Sequence, residues 1–351
     1  MVLVALLGGL LTLGCAPEQP PGPPPSPPSG EVIVAAGDIA DCTREGDEAT
    51  ATLVGGIEGT VLTLGDNAYE DGTAQDFEEC YDPSWGQFKD RTRPSPGNHE
   101  YRTEGARGYF DYFGDAAGEP DEGYYSYDVG AWHIVALNSN CSEVLRCGPG
   151  SPQGRWLKED LAANEEEACT LAYFHHPLFT SGEYRPGIER VERLWEILYA
   201  AGVDVVLNGH DHNYQRFAPQ DPEGRADPED GIRQFVVGTG GRSLYQISHP
   251  IANTEVYNDD TYGVLELSLH PKRYDWEFVP VEGESFTDSG VARCHGASSR
   301  GEKGCLSCRR SRPRSGGQPA ALEVSTRVGR RLPASWTVCV GTCGQRRFAP
   351  L

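Results

Sequence analysis

The chain has 351 residues, 38% of them apolar and 23% charged, enough for one large domain or two ordinary ones with a packed core. The net charge is −22 and is unevenly spread: residues 1–294 hold 50 of the 52 acids but only 19 of the 30 Lys and Arg. A body this acidic repels polyanions, which argues against nucleic acid as a partner of the main domain.

Residues 1–15, MVLVALLGGLLTLGC, are an apolar run too short to span a bilayer but suited to a secretory signal. Gly14-Cys15 at its end resembles a bacterial lipoprotein signal, which implies cleavage before Cys15 and membrane attachment by lipid on its sulfur. The fit is partial, because no Lys or Arg precedes Arg44. An ordinary signal peptide is the alternative. The expectation is export, as a cell-envelope lipoprotein or as a secreted or periplasmic protein. Residues 16–30 contain eight prolines and read as a stiff linker, reaching about 3.1 Å per residue in polyproline form.

From residue 31 the pattern alternates strand, loop and helix. EVIVAAGD reads as a short buried strand, DEATATLVGGI as a helix and TVLTLGDN as the next strand. TAQDFEECYDPSWGQF is helical or nearly so. YYSYDVGAWHIVALN reads as a hairpin turning at Gly130. SPQGRWLKEDLAAN is a helix with Trp156, Leu157 and Leu161 on one side. TLAYFHHP is a buried strand running into a loop. GIERVERLWEILYAAG puts Ile188, Val191, Leu194, Trp195 and Leu198 on one helical face. VDVVLNGHDH, RQFVVGTGG, YGVLELSLH and RYDWEFVPV complete the strands. This order argues for stacked sheets flanked by helices over residues 31–295. Cys42 and Cys80, and Cys141 and Cys147, are candidate disulfide pairs if the chain is exported, although spacing does not determine connectivity. Cys169 reads as a free core thiol.

After residue 295 the character changes. Residues 296–351 carry 11 Lys and Arg against two acids. This basic low-complexity tail reads as disordered chain or as a frame-shifted C-terminus. A tail that binds nucleic acid or an anionic surface is one weaker alternative, and a small zinc knot on the Cys305-x2-Cys308 and Cys339-x3-Cys343 pairs is another.

The chemistry lies at the strand ends. Asp38, Asp66, His175 and His210 each sit just beyond the carboxyl end of an apolar strand, where α/β sheets place their sites. TLGDNAYEDG adds Tyr69, SPGNHEY adds Asn98 and His99, and NGHDHN adds His212. A glycine precedes Asp38, Asp66, Asn98 and His210, permitting tight turns and close approach. Carboxylate, amide and imidazole donors suit borderline ions such as Zn, Mn or Fe. The donors are too many for one ion, and two ions sharing one carboxylate would use them all. GTGGRS at 238–243 looks like a phosphate cradle but reads as a strand-end turn, with Arg242 left as a candidate substrate contact. His176 reads as a neighbour of the ligands, and Asp211 as pointing away from them.

The ordered set GD, GDN, GNHE, H-x-P and GHxH, starting at Gly37, Gly65, Gly97, His175 and Gly209, resembles the calcineurin-like metallophosphoesterases over about residues 32–281. The GDNAY form with Tyr69 resembles the purple acid phosphatases within that superfamily. The resemblance implies a β-sandwich of two mixed sheets flanked by α-helices. It implies one metal on Asp38, Asp66, Tyr69 and His212 and another on Asp66, Asn98, His175 and His210, with Asp66 bridging. It places His99 against the substrate as the catalytic histidine. The ions it implies are Fe(III), favoured by Tyr69, and a divalent Zn, Mn or Fe.

Two such ions lower the pKa of a water between them, and the hydroxide attacks phosphorus. The metals and His99 then stabilise the phosphoryl charge, and His99 is a candidate donor to the leaving alcohol. The expected function is hydrolysis of small phosphate monoesters. A phosphodiesterase or nucleotidase is the alternative within enzymes, and a non-catalytic metal-binding surface lipoprotein is the alternative outside them.

Overall fold

The computed structural model describes residues 30–295 apart from 121, 145, 168 and 183–187. The signal, the Pro-rich linker and the basic tail with its paired cysteines fall outside the described residues. Among the described residues, thirteen strands form two sheets. They are β1 (Glu31–Ala36), β2 (Thr60–Leu64), β3 (Thr92–Ser95), β4 (Tyr125–Val129), β5 (Trp132–Ala136), β6 (Cys169–Tyr173) and β7 (Val205–Asn208), followed by β8 (Tyr214–Phe217), β9 (Arg233–Val237), β10 (Thr254–Asn258), β11 (Gly263–His270), β12 (Arg273–Pro280) and β13 (Ser289–Arg293). One sheet runs β13-β12-β11-β1-β2-β3 and the other β10-β8-β9-β7-β6-β5-β4. Helices α1 (Gly46–Gly56), α2 (Ala74–Asp76), α3 (Arg107–Phe113), α4 (Pro152–Ala163) and α5 (Ile188–Ala200) connect them. The class is therefore two mixed sheets with flanking helices.

The period-two alternation of the strands builds two hydrophobic layers. From the second sheet, Trp132, Ile134, Leu171, Tyr173, Val205, Leu207 and Phe235 face inward and meet Ile33, Ala35, Leu62 and Leu265 of the first. The intervening Val135, Ala172 and Val206 face outward and are covered by Leu157 and Leu161 of α4 and Val191, Leu194, Trp195 and Leu198 of α5. Helix α4 starts where Ser151 accepts a hydrogen bond from the backbone N–H of Gly154, with Pro152 in the first turn. Trp156 is only partly buried, against Tyr124, so two of its three expected core residues lie fully inside.

Among the described residues, three disulfides fasten the loops: Cys42–Cys80, Cys141–Cys147 and Cys169–Cys294. The third corrects the reading of Cys169 as a free thiol. It joins the start of β6 to the residue just after β13, 125 positions on, and sequence spacing carries no signal for such a distant partner. No helix among the described residues is long and apolar enough to cross a membrane.

Strands β1, β2 and β3 run parallel, as do β5, β6, β7 and β9. Their carboxyl ends thus lie along one edge of the sandwich, which brings together loops far apart in sequence.

Away from that edge, His133 on β5 is buried between two carboxylates. Its Nδ1 lies 2.9 Å from Asp128 Oδ1 and its Nε2 lies 2.8 Å from Asp160 Oδ2. Burial alone would lower the imidazole, but hydrogen bonds to Asp160 and Asp128 override it and raise the pKa above the ordinary 6.5. The pair stabilises the fold fully below pH 6.5, and this contribution is lost as pH rises through the raised value. With Asp128 largely exposed, the effect is on the order of 1 kcal/mol. In thermal melts from pH 6 to 9, His133→Asn should therefore flatten the wild-type decline by about 2–4 °C. Equal slopes in the two proteins would show that the pair contributes nothing.

Candidate metal centre

Five loops at the shared edge supply the candidate ligands. The Asp38 and Asp66 loops are zipped together by backbone bonds. Asp38 N donates to Gly65 O, Ile39 N to Asp66 O and Ala40 N to Asn67 O, each at 3.0 Å. Asp38, Asp66 and His210 all have left-handed backbones, with φ of 60°, 50° and 73°. Non-glycine residues adopt this conformation rarely and at some energetic cost, and such strain concentrates at functional sites. The preceding glycines matter mainly for close approach. A Cβ on Gly97 would collide with the Asp66 backbone N and Oδ1, and one on Gly209 would come 2.7 Å from Asp38 Oδ2.

The side chains converge. The Tyr69 hydroxyl donates to Asp38 Oδ1 at 2.9 Å, and lies 3.2 Å from Asp66 Oδ2 and 3.1 Å from His212 Nε2. His175 Nε2 lies 3.2 Å from Asp66 Oδ2, 3.1 Å from Asn98 Oδ1 and 3.1 Å from His210 Nδ1. His99 Nε2 stands 3.8 Å from Asp66 Oδ2, and the His99 N–H donates to Asp66 Oδ1 at 2.8 Å. Asp66 therefore touches both halves of the cluster, and all eight singled-out side chains belong to one connected group. The His176 ring stacks obliquely on His210, with centroids 4.5 Å apart, and its Nδ1 meets Ser139 Oγ at 2.8 Å. Asp211 turns away, accepting from the Thr180 hydroxyl.

The donor chemistry fits metal ions. His175 Nδ1–H donates to Leu64 O and His212 Nδ1–H donates to Ser243 O. In the neutral ring each Nε2 then directs its lone pair at a carboxylate, His175 at Asp66 and His212 at Asp38. Lone pairs and carboxylates facing one another in a buried site need positive charge between them. The electrostatics agree. Burial opposes charge on His175, yet Asp66 and Asp38 push its pKa up to about 9. Burial and the neighbouring His175 push His210 down to about 3. Burial acts to raise Asp66, but His175 and His99 hold it well below the usual carboxylate range. Burial, with Asp38 and Asp66, pushes the Tyr69 phenol up, and a cation among the same oxygens would reverse that. Asp38, Asp66 and His175 can place ligand atoms within 4.8 Å of one another, as can His175, His176 and His210.

Sequence reading missed the supporting layer. Glu100 is fully buried and accepts from the backbone N–H of Gly97, Asn67 and Asp66 at 2.6, 2.7 and 3.0 Å, tying the GDN turn to the GNHE turn. The stretch read as a strand-end turn does more than end β9. Its Ser243 carbonyl orients His212, its Arg242 lies over the Tyr69 ring 4.6 Å from the centroid, and Tyr245 beyond it stacks on His212 at 4.0 Å. The glycines of GTGGRS, and its Arg242 as a candidate substrate contact, were the only cues.

Comparison with known proteins bears on the family and the fold. A family model described as calcineurin-like phosphoesterase matches residues 23–214, more than half of the chain. Purple acid phosphatase 15 of Arabidopsis thaliana is 27% identical over 253 residues, covering 62% of this chain and 46% of its own. Purple acid phosphatase 18 of the same plant is 30% identical over 153 residues, covering 42% and 34%. The chain thus spans less than half the length of these relatives. Among solved structures, the purple acid phosphatase PPD1 from yellow lupin (Lupinus luteus) seeds matches with a TM-score of 0.60 at 18% identity, covering 76% of this chain and 55% of that one. At that identity the likeness speaks for the fold alone.

Proposed function

The chain belongs to the calcineurin-like phosphoesterase family, and from that premise we propose that it hydrolyses phosphate monoesters at a dinuclear metal centre. The observation that carries the reading is the position of Asp66. Its Oδ2 lies 3.2 Å from both the Tyr69 hydroxyl and His175 Nε2, on opposite sides of the cluster. Asp38, Tyr69 and His212 would hold one ion with Asp66, and Asn98, His175 and His210 the other. When bound, two such ions supply an activated water and compensate charge at phosphorus.

The chain's own groups do the rest. Asp38 and Asp66 keep the pocket anionic enough to hold cations, in a protein whose formal net charge is already −22. The Leu64 and Ser243 carbonyls fix the imidazoles of His175 and His212 in the tautomer that turns Nε2 inward. His99 stands at the partly open side of the cluster, 3.8 Å from Asp66 Oδ2, where a phosphoryl oxygen would arrive. Its Nδ1–H donates to Glu70 O at 2.6 Å and its Nε2 accepts from Arg102 Nη2 at 3.0 Å. In this arrangement His99 offers a lone pair rather than a proton, so its service as a general acid requires Arg102 to release Nε2. The three disulfides support an oxidising compartment, and with it export. Lipid attachment at Cys15 remains part of the proposal.

The test is hydrolysis of p-nitrophenyl phosphate and of bis(p-nitrophenyl) phosphate by the full chain loaded with Fe(III) and Zn(II). Turnover of the monoester at least tenfold above the diester is expected, and the reverse ratio would make it a diesterase. Tyr69 adds a visible signature: the Fe(III)-loaded protein should show a tyrosinate-to-iron absorption band that Tyr69→Phe abolishes. An unchanged band in the variant would remove Tyr69 from the ligand set.

A further inference from the structure

Two arginines from different loops stand at the mouth of the cluster with a single glutamate between them. Arg102, three residues after His99, donates from Nη1 to Glu70 Oε1 at 2.5 Å. Arg242 donates from Nη2 to the other oxygen, Glu70 Oε2, at 2.7 Å. Both guanidiniums abut the candidate centre. Arg102 Nη2 reaches His99 Nε2 at 3.0 Å, and Arg242 lies over the Tyr69 ring. A further acid steadies each from outside, Asp41 at 2.5 Å from Arg242 Nη1 and Asp71 at 3.5 Å from Arg102 Nη1. The Arg102, Arg242 and Glu70 side chains are 43%, 23% and 51% exposed, so solvent and ligand reach all three.

We propose that Arg102 and Arg242 form an anion-recognising rim that favours dianionic phosphate, in monoesters and as the free ion, over a monoanionic diester, with Glu70 as its internal competitor. The inference rests on the phosphoesterase reading and names the substrate class of that same site. A guanidinium presents five N–H donors in a planar fork that matches phosphate oxygens. Here two forks are held in place by carboxylates and share one acceptor. A phosphate entering beside His99 comes within reach of Arg102 and can replace Glu70 as the acceptor shared with Arg242. A dianion has the charge to displace a carboxylate from two cations. A diester carries one charge fewer and has a carbon substituent on one more oxygen, so it competes poorly. Glu70 also screens the rim, so it should weaken phosphate binding rather than assist it. That sign separates this role from a purely structural one.

The test compares the metal-loaded full chain with its Arg102→Gln, Arg242→Gln and Glu70→Gln variants, after metal content and melting temperature have been matched. Inorganic phosphate is titrated calorimetrically, and the two nitrophenyl esters are assayed in parallel. Each arginine variant should weaken phosphate binding about tenfold and lower kcat/KM for the monoester about tenfold, with less than a threefold change for the diester. Glu70→Gln should tighten phosphate binding severalfold. Equal losses on both esters, or weaker phosphate binding in Glu70→Gln, would overturn the proposal. If one arginine variant fails to fold, the other and the opposite-signed Glu70 variant still decide it. If the wild type turns over neither ester, the phosphoesterase reading fails, and the phosphate titration still judges the rim by itself.

Discussion

Asp66→Asn should lower p-nitrophenyl phosphate turnover by about a thousandfold or more and reduce bound metal from two ions to at most one. Asparagine keeps the shape of the side chain and can keep an oxygen facing the His99 N–H, so the loop at 97–99 stays anchored. What it loses is the negative charge and the second anionic oxygen. Asp66 Oδ2 is the atom that faces both Tyr69 and His175, so both proposed ion positions lose a donor at once. A thousandfold loss corresponds to about 4 kcal/mol of transition-state stabilisation, within what removal of a metal from such a centre costs. Asp66→Ala should lose as much activity and some stability besides, since it also leaves the His99 N–H unpaired. Metal content by mass spectrometry and turnover are measured on the same samples. If Asp66→Asn keeps two ions and turnover within tenfold of wild type, Asp66 does not bridge the centre.

Much of the candidate site was legible because every candidate ligand but Asn98 follows a short apolar strand and four follow a glycine. Strands β1, β2, β6 and β7 announce themselves as apolar runs, and their parallel order carries their ends to one edge. Strand β3 did not, because its residues are Thr92-Arg93-Pro94-Ser95. Proline is tolerated there because β3 lies at the margin of its sheet. The edge strand β10, with alternating partly exposed residues, was equally quiet. The glycines were read correctly as permitting close approach, but the partners at Gly97 and Gly209 are side chains from loops 31 and 171 residues earlier. The rim was legible only at Arg242, which GTGGRS offered as a candidate substrate contact. Arg102, Glu70 and Arg242 come from three loops, and nothing in any one of them marks the others. Tyr245 looks like any exposed aromatic until its ring is seen on His212.

Glu100 shows how a residue inside a recognised motif can carry more structural weight than its spacing reveals, and Glu100→Ala should destabilise the fold by about 3–5 kcal/mol. The carboxylate is fully buried and has no cationic partner in hydrogen-bond range among the described residues. It is held instead by backbone N–H groups, from Gly97 on one turn and from Asp66, Asn67 and Ala68 on the other. Burial and the nearby Asp66 charge raise its pKa to about 7, against the donors that pull it down. Alanine would strand those donors in a site that water does not reach, a cost of about 1–3 kcal/mol for each left unsatisfied. Partial relaxation and water entry keep the total below the sum. For a domain of this size the expected fall in melting temperature is about 10 °C. Glu100→Gln should lose less, because its one carbonyl oxygen still accepts while its amide group faces another donor. Both variants should also bind metal more weakly, since the turns carrying Asp66 and Asn98 lose their common anchor. Thermal melts with and without added metal separate the two effects. A Glu100→Ala protein melting within 2 °C of wild type would mean that the two turns are held by the sheet alone, and that the buried carboxylate is a passenger in the motif.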